Sequence, residues 1–213
     1  MSQRWKHFVD GFVSTLAGAD FGMCDNLFAD SPQAGAGQRG ADRRRENLRH
    51  FLLAREGASI LLVGEAAGFR GMRWTGIPFT SERQLLEWGV PFCCTSDRPG
   101  GWAESSASVV QSFIHDAGVA RSVLTWNVVP AHPHVAGVPL SNRTPSAREI
   151  ELGIPFLAAL VEELAPKVIV AAGRTAESAL TQHRTLTAEY VRHPANGGAA
   201  QFREGMRRCL TLA

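Results

Sequence analysis

The chain has 213 residues, of which 45% are hydrophobic and 20% are charged. This length suits one globular domain, and the hydrophobic share is too high for an intrinsically disordered chain. The formal net charge of +2 permits a nucleic-acid partner but does not argue for one, because domains that bind nucleic acids are often more basic. We therefore treat residues 1–213 as a single domain.

Cysteine and histidine spacing disfavours a metal site. The four cysteines are Cys24, Cys93, Cys94 and Cys209. No two of them have C-x-x-C spacing, which disfavours a zinc or iron–sulfur site and suits a reducing compartment. His132 and His134 have no acidic or thiol residue near them in the sequence, so we expect neither a metal nor a cofactor.

The sequence also carries no sign of export or of a membrane anchor. Its first residues lack the apolar run of a signal peptide, and no apolar stretch approaches the length that crosses a bilayer. We therefore expect a cytoplasmic monomer that has no membrane partner.

Apolar periodicity predicts helices that alternate with strands. The predicted helices span residues 5–17, 43–55, 81–89, 102–117, 146–164 and 201–210, and another opens at Gly173. The predicted strands span residues 59–63, 121–126, 167–171 and 188–192. Such alternation implies a parallel sheet with helices on both faces. The expected fold is a three-layer α/β/α domain around a central, mostly parallel four-stranded sheet.

Three polar residues lie within a residue or two of predicted strand ends. Glu65 follows the first strand, Asn127 follows the second and His193 follows the fourth. In open α/β sheets, ligands bind beyond the carboxyl ends of the strands. The shared placement of these residues predicts one common site.

Glu65 and Asn127 have side chains that suit chemistry on a nucleoside. A carboxylate at residue 65 can orient a water molecule and stabilise positive charge on a sugar. The amide of Asn127 offers a donor and an acceptor that match the N3–H and O4 edge of uracil. The alternatives are a loop glutamate that caps a helix and an asparagine that ties down the following loop.

His193 and Phe79 complete this set of candidates. His193 precedes Pro194, which restricts the histidine backbone to extended conformations. Its imidazole can donate a hydrogen bond to a carbonyl oxygen on which negative charge accumulates. Phe79 lies in a turn-rich loop and can stack on a base. The alternatives are a structural histidine and a core phenylalanine.

Four short motifs, taken in order, resemble those of the uracil-DNA glycosylase superfamily. They are Gly64-Glu-Ala-Ala-Gly68, Gly76-Ile-Pro-Phe-Thr-Ser81, Thr125-Trp-Asn-Val-Val-Pro130 and His193-Pro-Ala-Asn-Gly197. Each motif alone is weak, but their order, spacing and placement at strand ends all match over about residues 58–205. The resemblance implies an enzyme of DNA base-excision repair that acts on DNA containing uracil, has abasic DNA and free uracil as products, and needs no cofactor.

The resemblance also implies a role for each residue. Phe79 would stack on the uracil, Asn127 would read its edge, and His193 would bind its O2 atom. Glu65 would position the attacking water. The remaining pocket positions implied by the motifs are Gly64, Ala66 and Gly68. Contacts to the DNA phosphates are implied for Ser81, Arg143, Gly173, Arg174 and Asn196.

The chain also departs from the family pattern. Several families carry Asp or Asn where this chain has Ala66, so a catalytic carboxylate has to come from Glu65. Gly68 replaces the bulky Tyr that some members use to exclude the thymine methyl group. The loop after His193 contains no Leu or Arg wedge, and the cysteines do not supply the iron–sulfur cluster that families with a Gly-Glu motif often carry.

Three hypotheses follow. The first is a monofunctional glycosylase that hydrolyses the N-glycosidic bond of uracil in DNA. The second is a damage-recognition protein of the same fold that binds abasic or uracil-containing DNA with little turnover, which Ala66 and the missing wedge favour. The third is an unrelated α/β domain that binds a small ligand.

Overall fold

The computed structural model describes residues 1–30, 39–182 and 187–213. The helices are α1 (Gln3–Ala17), α2 (Gly40–Leu53), α3 (Met72–Thr75), α4 (Glu82–Trp88), α5 (Ser105–Asp116), α6 (Ala147–Leu164), α7 (Arg174–Gln182) and α8 (Ala199–Leu210). The strands are β1 (Cys24–Asp25), β2 (Ile60–Ala66), β3 (Val123–Val129), β4 (His132–Pro133), β5 (Val168–Ala172) and β6 (Glu189–Val191).

A four-stranded sheet with the order β3-β2-β5-β6 forms the centre of the molecule. All of its neighbouring strands run parallel. The predicted α/β fold and its four central strands are therefore confirmed. β2 and β5 have continuous apolar runs because helices cover the sheet on both faces.

The two faces of the sheet are packed by different helices. Leu61 and Val63 of β2 point to one face, where they pack with residues of α1, α2, α6 and α7. Ile60 and Leu62 point to the other face and pack with residues of α5 and α8. This alternation follows from the two-residue repeat of a strand and gives the predicted three layers.

The strand order creates a crevice at the carboxyl edge of the sheet. β2 and β5 are neighbours, but the chain leaves β2 toward β3 on one side and leaves β5 toward β6 on the other. Such a point, where the connections diverge, is the usual binding site of an open α/β sheet.

Two central strands extend further than the sequence predicts. β2 reaches Ala66 and β3 reaches Val129, so Glu65 and Asn127 lie within strands rather than beyond them. Gly64 and Asn127 are partners in the register, which places them side by side. The short helix α3 and the two-residue strands β1 and β4 were not predicted, because elements this short show no periodic pattern.

No helix in residues 1–30, 39–182 and 187–213 is long and apolar enough to cross a membrane.

Candidate active site

A cavity of about 410 Å³ opens at the carboxyl edge of the sheet. It is bounded by the segments that follow β2 and β5 and by the loop that follows β6. The predicted site residues that line it are Glu65, Ala66, Gly68, Phe79, Asn127, Arg143, Gly173, Arg174 and His193. Residues from separate loops and strands therefore come together at the crevice that the strand order creates.

Phe79 has an unusual backbone conformation. Its φ of 51° lies in the left-handed region, which is strained for a bulky residue. Hydrogen bonds hold this conformation: Gln111 Nε2 donates to the Phe79 carbonyl at 3.0 Å, and Thr125 Oγ1 donates to the Pro78 carbonyl at 3.0 Å. Strain of this kind is common where a side chain must be aimed at a ligand. The Phe79 ring packs in the core and also forms one wall of the cavity.

Gly64 lies behind this wall rather than in it. A Cβ atom on Gly64 would lie 2.6 Å from Phe79 Cζ and 2.6 Å from Asn127 Oδ1. Only a glycine allows the phenyl ring and the amide to approach the strand this closely. Gly64 therefore contributes to the pocket by leaving room for its two neighbours.

The side chain of Asn127 is nearly buried and makes only a weak bond on its donor side. Its Nδ2 atom lies 3.2 Å from the sulfur of Met72, which is a weak acceptor. A carbonyl group of a ligand in the cavity offers Nδ2 a stronger acceptor. Asn127 is therefore placed to bind a polar edge without first breaking a strong bond to the protein.

Local contacts fix the protonation pattern of His193. Its Nδ1 atom accepts a hydrogen bond from the backbone N–H of Ala195 at 3.2 Å. Burial lowers the pKa of the imidazole, and the nearby Arg192 lowers it further. A neutral ring that accepts at Nδ1 carries its proton on Nε2. The cavity-lining imidazole is thus a neutral donor, and its ring centroid lies 6.0 Å from that of Phe79.

Glu65 supplies a half-buried carboxylate to the same cavity. Within the described part of the chain, no protein group donates a hydrogen bond to it. A carboxylate without protein donors can accept hydrogen bonds from a water molecule or a ligand. Its placement fits the water-positioning role that the resemblance implies.

A second carboxyl group in the cavity, that of Glu104, was missed by sequence reasoning. Glu104 directly precedes α5 and lines the cavity beside Gly68 of the first motif. Burial raises the pKa of its carboxyl group to about 7. The only sequence signal was an acidic residue next to a helix start, a common arrangement that does not indicate a site.

The predicted phosphate contacts divide into accessible and inaccessible residues. Arg174 is exposed at the start of α7, directly after Gly173, and pairs with Glu177 at 2.7 Å. Asn196 is exposed but does not line the cavity. Arg143 lines the cavity while its guanidinium group binds Glu149 at 2.6 and 2.7 Å.

Ser81 lies outside the lining of the cavity. Its side chain is fully buried, and its Oγ atom donates to Gln84 Oε1 at 2.6 Å. The backbone N–H of Ser81 donates to the same oxygen at 2.9 Å, so the residue caps α4. The structure therefore shows a capping role for Ser81, and its contact to a DNA phosphate stays a prediction.

The two histidines of the third motif region have structural roles. The ring of His132 is buried between the carbonyl groups of Ala67 and Pro139, at 2.7 and 3.1 Å. His134 lies 3.2 Å from Asp25. Across the described residues, no three His, Cys, Asp or Glu side chains form a group that could hold a metal ion.

Comparison with known proteins agrees with this geometry. The family model of the Uracil DNA glycosylase superfamily matches residues 52–208, which is most of the chain. The chain belongs to this superfamily. The matched region contains Glu65, Phe79, Asn127 and His193. Membership in the superfamily supports a DNA glycosylase function.

A solved structure shows the same fold over nearly the whole chain. The crystal structure of wild-type Pedobacter heparinus SMUG2 matches with a TM-score of 0.64 and 13% identity, covering 96% of this chain and 97% of that one. At this level of identity the likeness establishes the fold alone. No curated protein matches the chain at a significant level.

Proposed function

We propose that this protein is a monofunctional DNA glycosylase that hydrolyses the N-glycosidic bond of uracil in DNA. The products are an abasic site and free uracil. The observation that carries the proposal is that Glu65, Phe79, Asn127 and His193 all line one cavity at the divergence point of the sheet. Together they provide an aromatic wall, an amide, a neutral donor and a carboxylate, which a flipped pyrimidine nucleotide requires.

The base is held by two of these groups. The strained Phe79 ring stacks on the pyrimidine, and stacking of an aromatic side chain on a base contributes about 1–3 kcal/mol. The amide of Asn127 pairs with the N3–H and O4 edge of uracil and exchanges its weak bond to Met72 for a better acceptor. The DNA strand has to present the nucleotide out of the base stack to reach this cavity.

The other two groups act on the bond that breaks. A water molecule adds to the sugar carbon C1′, the C1′–N1 bond breaks, and its electron pair leaves with the uracil. The added water gives up one proton to the solvent, and the uracil anion takes up one proton when it leaves the site. The Nε2–H group of His193 donates to the O2 atom, on which negative charge accumulates. Glu65 orients the water and stabilises the positive charge that develops on the sugar.

Phosphate contacts position the DNA without reading its sequence. The exposed guanidinium group of Arg174 and the backbone around Gly173 lie beside the cavity. Cationic side chains of this kind give affinity that falls as the salt concentration rises.

A damage-recognition protein of the same fold is the second candidate. Two observations favour it: Ala66 removes a further polar group from the first motif, and the exposed turn at Asn196 and Gly197 offers no bulky side chain to replace a flipped base. Such a protein would hold uracil-containing or abasic DNA with little turnover.

One assay distinguishes the glycosylase from the damage-recognition protein. A single-stranded oligonucleotide with one uracil is incubated with a molar excess of protein, and abasic sites are then cleaved with alkali. The glycosylase predicts complete cleavage at the uracil and none in a matched oligonucleotide that carries cytosine in place of the uracil. Tight binding to abasic DNA with no cleavage would contradict the glycosylase hypothesis and support the damage-recognition hypothesis.

A further inference from the structure

Glu104 has no role in the mechanism described above, yet it lines the same cavity. It is the N-cap residue of α5, but its side chain makes no capping hydrogen bond. In the described part of the chain, no group forms a hydrogen bond or an ion pair with its carboxyl oxygens. Glu104 is half-buried, and a half-buried carboxyl group without a protein partner costs free energy, so its retention needs an explanation.

The carboxyl group of Glu104 fills space that two glycines leave open. A Cβ atom on Gly68 would collide with Glu104 Oε1, and one on Gly71 would collide with Glu104 Oε2. Both oxygens therefore rest directly against the backbone that follows β2. Gly68 is also a wall of the cavity, so the carboxyl group takes the place that a side chain at residue 68 would occupy.

A second buried carboxylate fixes the position of the segment that leads to Glu104. Glu82 is fully buried and accepts hydrogen bonds from the backbone N–H groups of Thr95, Ser96 and Trp102 at 2.7, 2.8 and 3.0 Å. The Trp102 ring stacks on Trp74, with centroids 5.7 Å apart and planes 4° from parallel. Glu104 is thus held by an ordered segment.

We propose that Glu104 contacts the bound base directly and does so as a neutral carboxylic acid. This assignment rests on the proposed function and names a further substrate-contacting residue of that site. A neutral carboxyl group presents one donor and one acceptor, as an amide does. Asn127 uses one of the two lone pairs of the uracil O4 atom, so the donor of Glu104 can bond to the other without placing a second negative charge beside Glu65.

The charged and titratable groups around Glu104 are consistent with a neutral carboxylic acid. Those that line the cavity are Glu65, Arg143, Arg174, Arg192 and His193. Those on the adjoining segments are Arg70 beside Phe69, Arg73 over Trp74, Arg98 over Trp102, and Glu82. In the described ranges none of the cations pairs with Glu104, and burial is the cause of its raised pKa, about 7.

A charge argument predicts the effect of losing the Glu104 proton. Breaking the glycosidic bond leaves negative charge on the departing base, and a carboxylate in contact with that base repels it. The neutral acid does not. Activity that depends on Glu104 should therefore fall as the pH rises through about 7, the pKa of this group.

The test compares the wild-type protein with Glu104→Gln, which imitates the neutral acid at every pH. Uracil release from a single-stranded oligonucleotide is measured under single-turnover conditions, from one unit below to one unit above the pKa of about 7. Over this window the neutral fraction of the acid falls about tenfold. We expect the wild-type rate to fall about tenfold relative to the Glu104→Gln rate. Glu87→Gln, which changes an exposed glutamate of α4, should follow the wild-type profile.

Two results would overturn the proposal. If Glu104→Gln keeps the wild-type pH profile, Glu104 does not contact the base. If Glu104→Gln loses activity at every pH while remaining folded, Glu104 acts as a carboxylate.

The proposed function can fail separately from this proposal. If the wild-type protein releases no uracil, affinity for the same oligonucleotide is measured over the same pH window. The wild-type affinity should then weaken relative to Glu104→Gln as the pH rises, and equal pH dependence would overturn the contact.

Discussion

A Cβ atom on Gly64 would lie 2.6 Å from Cζ of Phe79, closer than two non-bonded carbon atoms approach each other. The Phe79 ring therefore packs against β2 only because residue 64 has no side chain. The same Cβ atom would lie 2.6 Å from Oδ1 of Asn127. One glycine thus controls the placement of both groups that hold the base.

Gly64→Ala should displace the Phe79 ring and the Asn127 amide and lower the rate of uracil release by more than about tenfold. The reason is that a misplacement of about 1 Å in a site of this kind can cost about a hundredfold. The measurement is single-turnover release from a uracil oligonucleotide. Gly11→Ala is the matched control, because a Cβ atom there meets nothing within 4 Å. Equal rates for both variants would mean that the ring and the amide do not hold the base.

His193→Ala and Asn127→Ala should each lower the single-turnover rate by more than about tenfold. Loss of one donor to developing negative charge costs about 2.7–4 kcal/mol. His134→Ala is a suitable control, since this histidine pairs with Asp25 and does not line the cavity. Its rate should stay near the wild-type value. An unchanged rate in His193→Ala would show that the imidazole takes no part in bond cleavage.

Arg174 and Arg148 form a matched pair for testing the DNA contact. Both are exposed, and each pairs with a glutamate three residues later, but only Arg174 lines the cavity. Arg174→Ala should weaken binding to DNA of any sequence and reduce the slope of log affinity against log salt by about 1. Arg148→Ala should leave that slope unchanged. Identical slopes for the two variants would mean that Arg174 does not contact the DNA backbone.

The Arg143–Glu149 pair predicts a dependence of stability on acid. Chiefly because Arg143 donates hydrogen bonds to it, the pKa of Glu149 falls to about 2 from an ordinary value of 4.5. A lowered carboxyl pKa stabilises the fold above the unfolded-state value, and this contribution is lost as the pH falls from about 4.5 to about 2.

Glu149→Gln should therefore reduce the free energy of unfolding at neutral pH by about 2–3 kcal/mol. Urea denaturation at neutral pH and near pH 2 measures the effect, and the difference from the wild-type protein should shrink in acid. Glu151→Gln, on the exposed face of the same helix, should cost less than about 1 kcal/mol. A difference that is constant with pH would show that the ion pair does not cause the effect.

The sequence allowed the fold to be predicted because β2, β3 and β5 are buried on both faces over most of their length. Ile60 to Val63 therefore form a continuous apolar run that stands out from the amphipathic helices. The positions of Glu65, Asn127 and His193 at one edge followed from the same reasoning, since parallel strands end at the same side of a sheet.

Two features of the site depend on packing that sequence spacing does not encode. Glu104 reaches the cavity because Gly68 and Gly71 leave room for it and Glu82 anchors the preceding segment. These residues are far apart in the sequence, so no local pattern joins them. Ser81 is different, because its spacing to Gln84 is that of a capping box and was available as a signal.

The most direct test of the central claim is uracil release by the wild-type protein and by Glu65→Gln. Both are given in molar excess over a single-stranded uracil oligonucleotide, and abasic sites are quantified after alkali treatment. The account predicts release by the wild-type protein and a rate at least about a hundredfold lower for Glu65→Gln, because an amide cannot take over the role of the carboxylate. Equal release by the two proteins, or none by the wild-type protein, would contradict it.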